Sequence, residues 1–145
     1  MPTVNSPDPA SPAGPPDAVL RDGGRLADRM GIEVLRVDRL GGEATMPVAG
    51  NTQTFGILHG GASAVLSETI GSLVAAARAP EGMVPVGVEL SVSHHRSVRT
   101  GSVRAVATPV HVGRRMATVE IVLTDDDGRR VATSRLTCYF RPPVG

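Results

Sequence analysis

The chain has 145 residues, 41% of them apolar and 20% charged, with a formal net charge of +1, which suits one domain with its own core. A near-neutral balance and only three aromatic rings (Phe55, Tyr139, Phe140) exclude the basic field and the stacking surface of a nucleic-acid binder. All fifteen basic residues are Arg, which excludes Schiff-base and P-loop chemistry, and the single Cys138 excludes an intrachain disulfide and a Cys-based zinc site.

Residues 1–16 hold six of the twelve prolines and too little apolar surface to offset ordering entropy. This composition predicts a disordered tail over 1–17 and a folded domain over 18–145. No basic-then-apolar leader opens the chain, and no apolar run approaches the roughly 20 residues that span a bilayer, so a cytoplasmic location without membrane contact is expected. A short helix is predicted over Gly24–Met30, with Leu26 and Met30 on one face. Strands over Ile32–Asp38 and Glu43–Val48, joined at a Gly41-Gly42 turn, read as a hairpin. Ala49–Leu58 reads as a loop with turn residues Gly50, Asn51 and Gly56.

His59–Ala79 is the one long helix candidate, free of proline until Pro80, with Ala62, Leu66, Leu73, Ala76 and Ala77 as its apolar stripe. Its many Gly, Ala and Ser residues suit close wrapping by a sheet. Strands follow over Val84–Val98, Ser102–His111, Met116–Thr124 and Arg130–Phe140, with an Asp125–Gly128 hairpin turn before the last. Val103, Ala105 and Ala107, and Val119, Ile121 and Leu123, alternate as a half-buried antiparallel sheet requires. The order of elements predicts an α+β domain in which a curled antiparallel sheet packs around one helix.

Glu68 stands out. It lies mid-helix among small and apolar residues, and Ala64, Val65, Gly71 and Ser72 at i±3 and i±4 offer no cation. Such a carboxylate, if buried, is costly and is a candidate base or nucleophile. Periodicity alone equally allows it a place on an exposed helix face.

Gln53, His59, Gly60, Glu68 and Ser72 stand in one run, and the segment FGILHGGASAVLSETIGS (55–72) resembles the active-site segment of hotdog-fold acyl-CoA thioesterases. The resemblance is to the branch that includes the 4-hydroxybenzoyl-CoA and 1,4-dihydroxy-2-naphthoyl-CoA thioesterases. It continues through VGVELSVSHHRSVRTGSVRA and GRRMATVEIVLTDDDGRRVATSRLT, and so covers roughly residues 30–140. It implies a hotdog fold and cofactor-free hydrolysis of an acyl-CoA or aroyl-CoA thioester. Glu68 then serves as nucleophile or general base, and the Gly60 N–H polarises the carbonyl. Gln53 holds the loop or the thioester, and Ser72 positions water. For His59 the resemblance favours bracing of the Gln53 loop over proton transfer.

Gly60 and Glu68 are eight residues apart, so a straight helix separates them by about 12 Å along its axis. A thioester needs both groups within about 3–3.5 Å of its reacting atoms. This predicts a homodimer in which Gly60 of one subunit faces Glu68 of another; the resemblance extends the expectation to a homotetramer. His94 and Arg96 share one strand face and His95 takes the other. The resemblance places the His94/Arg96 face near CoA. Arg99, Arg114 and Arg115 are further phosphate candidates because Arg suits bidentate anion contacts, and ordinary surface charge explains them equally well. The segment after the helix and the Met30 region are expected to shape the acyl pocket, for aromatic groups first and medium-chain acyl groups next.

Other readings are weaker. The segment Gly61–Val65 lacks the second glycine of a nucleophile elbow. The four histidines lack ligand spacing, so no metal is expected. A hotdog hydratase would carry Asp five residues before the His, where Thr54 stands. The alternative kept open is a non-catalytic acyl-CoA-binding module on the same fold.

Overall fold

Residues 20–145 are described by the structure, a computed structural model. The tail expected over 1–17 lies outside these residues. In chain order the elements are α1 (Gly24–Met30), β1 (Glu33–Asp38), β2 (Gly41–Pro47), α2 (Gly60–Ala76), β3 (Val84–His94), β4 (Ser102–Val112), β5 (Met116–Thr124) and β6 (Arg130–Arg141). The strands form one antiparallel sheet in the order β1-β2-β4-β5-β6-β3, so β1 and β3 are its edges. The sheet curls around α2, which packs against all six strands. This is the α+β hotdog arrangement expected. Among the described residues, no helix is long and apolar enough to cross a membrane.

The sequence of α2 explains the curl. Ala62, Leu66, Ile70 and Val74 recur every fourth residue, and all are buried. Burying Leu66, Ile70 and Val74 contributes about 1.5–3 kcal/mol each. Beside that stripe, Ser63, Ser67, Gly71 and Ala75 are also buried and carry almost no bulk. A Cβ at Gly71 would already lie 2.8 Å from Leu136 Cδ2 on β6. The Ser67 and Ser134 hydroxyls satisfy one another at 2.7 Å inside this contact. The stripe therefore differs from expectation: Ala62, Leu66 and Ala77 are buried, but Leu73 and Ala76 are only half-buried, and Ile70 and Val74 take their place.

The strand predictions hold in type and shift at their ends. Val103, Ala105, Ala107, Val119, Ile121 and Leu123 all face the core. The predicted turn at Gly41-Gly42 is corrected: the chain reverses at Arg39–Leu40, and both glycines lie in β2. Asp38 Oδ1 holds the reversal by accepting the N–H groups of Leu40 and Gly41 at 2.7 and 3.2 Å. The glycines serve packing instead. A Cβ at Gly41 would stand 2.5 Å from the Ala107 carbonyl oxygen, and one at Gly42 would stand 2.8 Å from Val74 Cγ2. β3 stops at His94, short of the expected Val98, and α2 stops at Ala76, short of Ala79. The Asp125–Gly128 turn forms as expected. Asp125 Oδ1 accepts the Asp127 and Arg129 N–H groups, and Gly128 supplies φ 76°.

Two tests follow from this packing. Gly41→Ala forces a methyl against a backbone carbonyl that cannot rotate away, so it costs about 2 kcal/mol or more, read as a lowered urea midpoint at unchanged slope. Burial raises the Cys138 thiol from 9.0 to about 11, with the Glu68 charge adding to the rise and a hydrogen bond with Ser72 opposing it. The folded thiol therefore keeps a proton that the unfolded chain releases. The linked stability is present below pH 9 and is lost as pH rises towards 11. Native protein at pH 8 should react with a thiol reagent only as fast as it unfolds.

Candidate active site

The loop before α2 is pinned by its own polar groups. Asn51 Nδ2 donates to the carbonyls of Met30 and Pro47, both at 2.8 Å, and the Asn51 carbonyl accepts the His59 N–H at 2.9 Å. Gln53 closes a tight turn: its N–H donates to Ile57 O at 2.8 Å, and its Oε1 accepts the Phe55 N–H. Leu58 N–H reaches across to Val98 O at 2.7 Å. These bonds set the backbone of His59 extended (φ −68°, ψ 130°) as the N-cap of α2.

His59 then determines which helix N–H stays free. Its Nδ1 accepts the Gly61 N–H at 2.8 Å, so Nδ1 carries no proton and the ring acts as a cap. The Gly60 N–H makes no hydrogen bond among the described residues. It sits in the first turn, where the helix dipole is positive, and it opens into a cleft of about 340 Å³ lined in part by Gln53, Ser63, His94, His95 and Arg96. The His94 ring lies against Gly60, where a Cβ would be 3.0 Å from Nε2. A side chain here would push the imidazole off the helix end.

His94 and His95 leave the end of β3 on opposite faces, as expected. The His94 ring lies against Gly60 on the helix side, whereas His95 Nε2 is 2.9 Å from Thr133 Oγ1, and Thr133 stands between the core-facing Ala132 and Ser134 of β6 and so faces away from the helix. Regular strand pairing ends with β3, and the N–H groups of His95 and Arg96 both reach the Val131 carbonyl, at 2.8 and 3.2 Å.

Glu68 lies elsewhere on the same helix, in a second cleft of about 280 Å³ lined by Asp22, Gly23, Thr69, Ser72 and Leu73. Its own chain does not bury it: the carboxylate is exposed and makes no ion pair among the described residues. Of the two placements that periodicity allowed, Glu68 takes the exposed one. The side chain lies over the edge strand β3 at Gly87, where a Cβ would come within 3.0 Å of Oε1. The absence of a side chain at Gly87 is what leaves room for the carboxylate. Ser72, one turn on, shares the cleft, as the sequence implied. Asp22 and Gly23 were not singled out, because residues ahead of α1 carry no periodic signal. Met30, expected near the acyl pocket, packs instead against the core, and its carbonyl is taken by Asn51.

The remaining arginines do not join either cleft within one chain. Arg99 donates to the Phe55 carbonyl at 3.2 Å and lines a separate cleft with Asp125, Asp126, Asp127 and Arg129. Arg114 and Arg115 sit in the turn between β4 and β5, at the far end of the sheet from Gly60. The structure thus sets two separate clefts along one helix. One offers an unpartnered N–H among imidazoles and Arg96, and the other offers a carboxylate with no counter-charge.

Comparison with known proteins gives this arrangement a family. The family model described as the thioesterase superfamily matches residues 55–132. The proofreading thioesterase EntH of Cronobacter turicensis is 50% identical over 115 residues, covering 79% of this chain and 84% of the relative. A Pseudomonas aeruginosa thioesterase, solved as a glutamine-to-alanine variant, is 34% identical with a TM-score of 0.83, covering 91% of this chain and 98% of that one. A Staphylococcus aureus protein solved as a glutamate-to-alanine variant is 29% identical with a TM-score of 0.79, covering 82% of this chain and 100% of that one. It was also solved as a glutamine-to-alanine variant, and the two substituted positions are fifteen residues apart, the spacing of Gln53 and Glu68. The chain belongs to the thioesterase superfamily and is a thioester hydrolase on a hotdog fold.

Proposed function

We propose that the protein hydrolyses acyl-CoA or aroyl-CoA thioesters in sites shared between two copies. Each site takes Glu68 from one copy and the Gly60 N–H from the other. The observation that carries this reading is the separation itself. The free N–H and the unpaired carboxylate are eight residues apart on one helix, about 12 Å along the axis, and open into different clefts.

The edge strand supports the second copy. β3 runs for eleven residues with one charged side chain, Glu89, short of His94, and among the described residues its outer edge is unpaired. Val84, Val86 and Val88 are exposed along it. A long, barely charged edge of this kind is normally covered or paired. Antiparallel pairing of β3 with a second β3 reverses the direction of the second α2, so the Gly60 half of one helix faces the Glu68 half of the other. Gly87 and the small residues of α2 permit that approach. Two such dimers make the homotetramer, and a reduced Cys138 suits a cytoplasmic setting.

In this site the Gly60 N–H and the helix end stabilise the oxyanion as charge develops on the carbonyl. By one route a Glu68 oxygen attacks the carbonyl carbon, the C–S bond breaks to give CoA thiolate, which is protonated by water, and a second water cleaves the mixed anhydride. By the other, Glu68 takes the proton of a water, held by Ser72, that attacks directly. Gln53 steadies the thioester, His59 keeps Gly60 free, and His94 and Arg96 contact CoA, with Arg99 and Arg114 as outer phosphate contacts. Aromatic acyl groups are the first choice of substrate. A single turnover in labelled water separates the routes, since only the covalent one leaves label in the Glu68 carboxylate.

Glu68→Gln should lower kcat by about 10²–10⁴-fold while the oligomer persists. Proline is tolerated at a first helical position and removes only the N–H. Gly60→Pro should therefore lose about 10²–10³-fold in kcat beyond Gly60→Ala, which controls for the contact with His94. Co-expressing Glu68→Gln with Gly60→Pro should restore about a quarter of wild-type activity, because half the dimers then hold one intact site. No recovery, or full activity in a strictly monomeric preparation, would overturn the shared site.

A further inference from the structure

The cleft beside Glu68 holds a second acid that the chemistry above does not use. Asp22, on the segment leading into α1, lines that cleft together with Thr69, Ser72 and Leu73 from α2. Asp22 is held in place. Its Oδ1 accepts the Gly24 N–H at 2.8 Å, and Gly23 beside it packs so closely that a Cβ there would lie 3.1 Å from the Thr69 methyl. The two carboxylates therefore line one open cleft of about 280 Å³. No Arg or His lines it, and neither acid is ion-paired among the described residues. Arg21 and Arg25 flank Asp22 in sequence, yet neither lines the cleft.

We infer that Asp22 is a specificity residue that keeps acyl groups ending in a carboxylate out of the site. The inference rests on the proposal that the thioester reacts at Glu68, which sends the acyl group into this cleft. An acyl chain with a distal carboxylate would bring a third negative charge beside Asp22 and Glu68, in a cleft that no Arg or His of the same chain lines. A neutral acyl group meets Leu73, the Thr69 methyl and the Ser72 hydroxyl without that penalty. Discrimination here works by repulsion, which penalises the wrong substrate without tightening the right one. Because Asp22 is exposed in the single chain, salt should weaken the effect.

The test uses two matched pairs of CoA thioesters: hexanoyl with adipoyl, and benzoyl with 4-carboxybenzoyl. The readout is the ratio of kcat/KM for the neutral member to that for the carboxylated member. The wild-type ratio should be about tenfold or more in both pairs and should fall as salt is raised. Asp22→Asn keeps an oxygen for the Gly24 N–H, so the turn survives, and it should bring the ratio down by about tenfold through a gain on the carboxylated member. A wild-type ratio near one, or an Asp22→Asn ratio equal to the wild-type one, would overturn the inference. Glu68→Gln runs alongside. If it still hydrolyses the neutral thioesters at the wild-type rate, the site itself is misassigned. If it is inactive and the Asp22→Asn ratio is unmoved, only the role of Asp22 fails.

Discussion

A straight α-helix advances about 1.5 Å per residue, and that rise holds Gly60 and Glu68 roughly 12 Å apart in every conformation in which α2 stays folded. The rest of the site is arranged around this distance. The helix end offers a free N–H because His59 takes the Gly61 N–H and leaves the one before it. Two turns further on, the carboxylate rests over a strand position with no side chain. Neither group reaches the other's cleft within one chain.

The same helix serves folding and catalysis through one property, its lack of bulk. Buried serines, alanines and Gly71 let the sheet close around α2 on its core side, where Leu136 and Ile121 come into contact. Towards the edge strand β3 the cover is thinner: Gly60 lies against His94, and Glu68 lies exposed over Gly87. A bulkier helix would hold the strands further out, and Gly41 and Gly42 of β2 would lose the close approach that brings them against the Ala107 carbonyl and Val74. Packing density and the accessibility of the site are therefore set by the same residues.

Electrostatically, the site keeps its charges uncompensated. The ion pairs of the described residues lie among Arg36, Asp38, Glu43, Arg104, Asp125, Asp127 and Arg129, away from Glu68. Those surface pairs are worth little for stability, and their placement leaves the carboxylate of α2 without a partner. The imidazoles and Arg96 gather instead at the helix N-terminus, where the dipole is already positive. One helix thus carries a positive half-site and a negative one.

Local pattern sufficed for much of this. The period-two runs of β4 and β5, the long proline-free helix, the Asp125–Gly128 turn and the segment Gln53–Ser72 were legible because each is written in consecutive residues. So was the eight-residue spacing from Gly60 to Glu68, which needs only the helical rise. Tertiary structure decided what depends on convergence. Strand register brought the His94 ring against Gly60 at the helix end. The docking of the chain ahead of α1 set Asp22 and Gly23 against Glu68. The same register carried Arg99 to the Asp125 turn and Arg114 to the far end of the sheet. Periodicity left Glu68 free to be buried or exposed, and its place over Gly87 of the edge strand β3 leaves it exposed. Periodicity reports which way a side chain leaves its own strand or helix; it holds no information on which distant backbone, or which gap in a sheet, it will meet there.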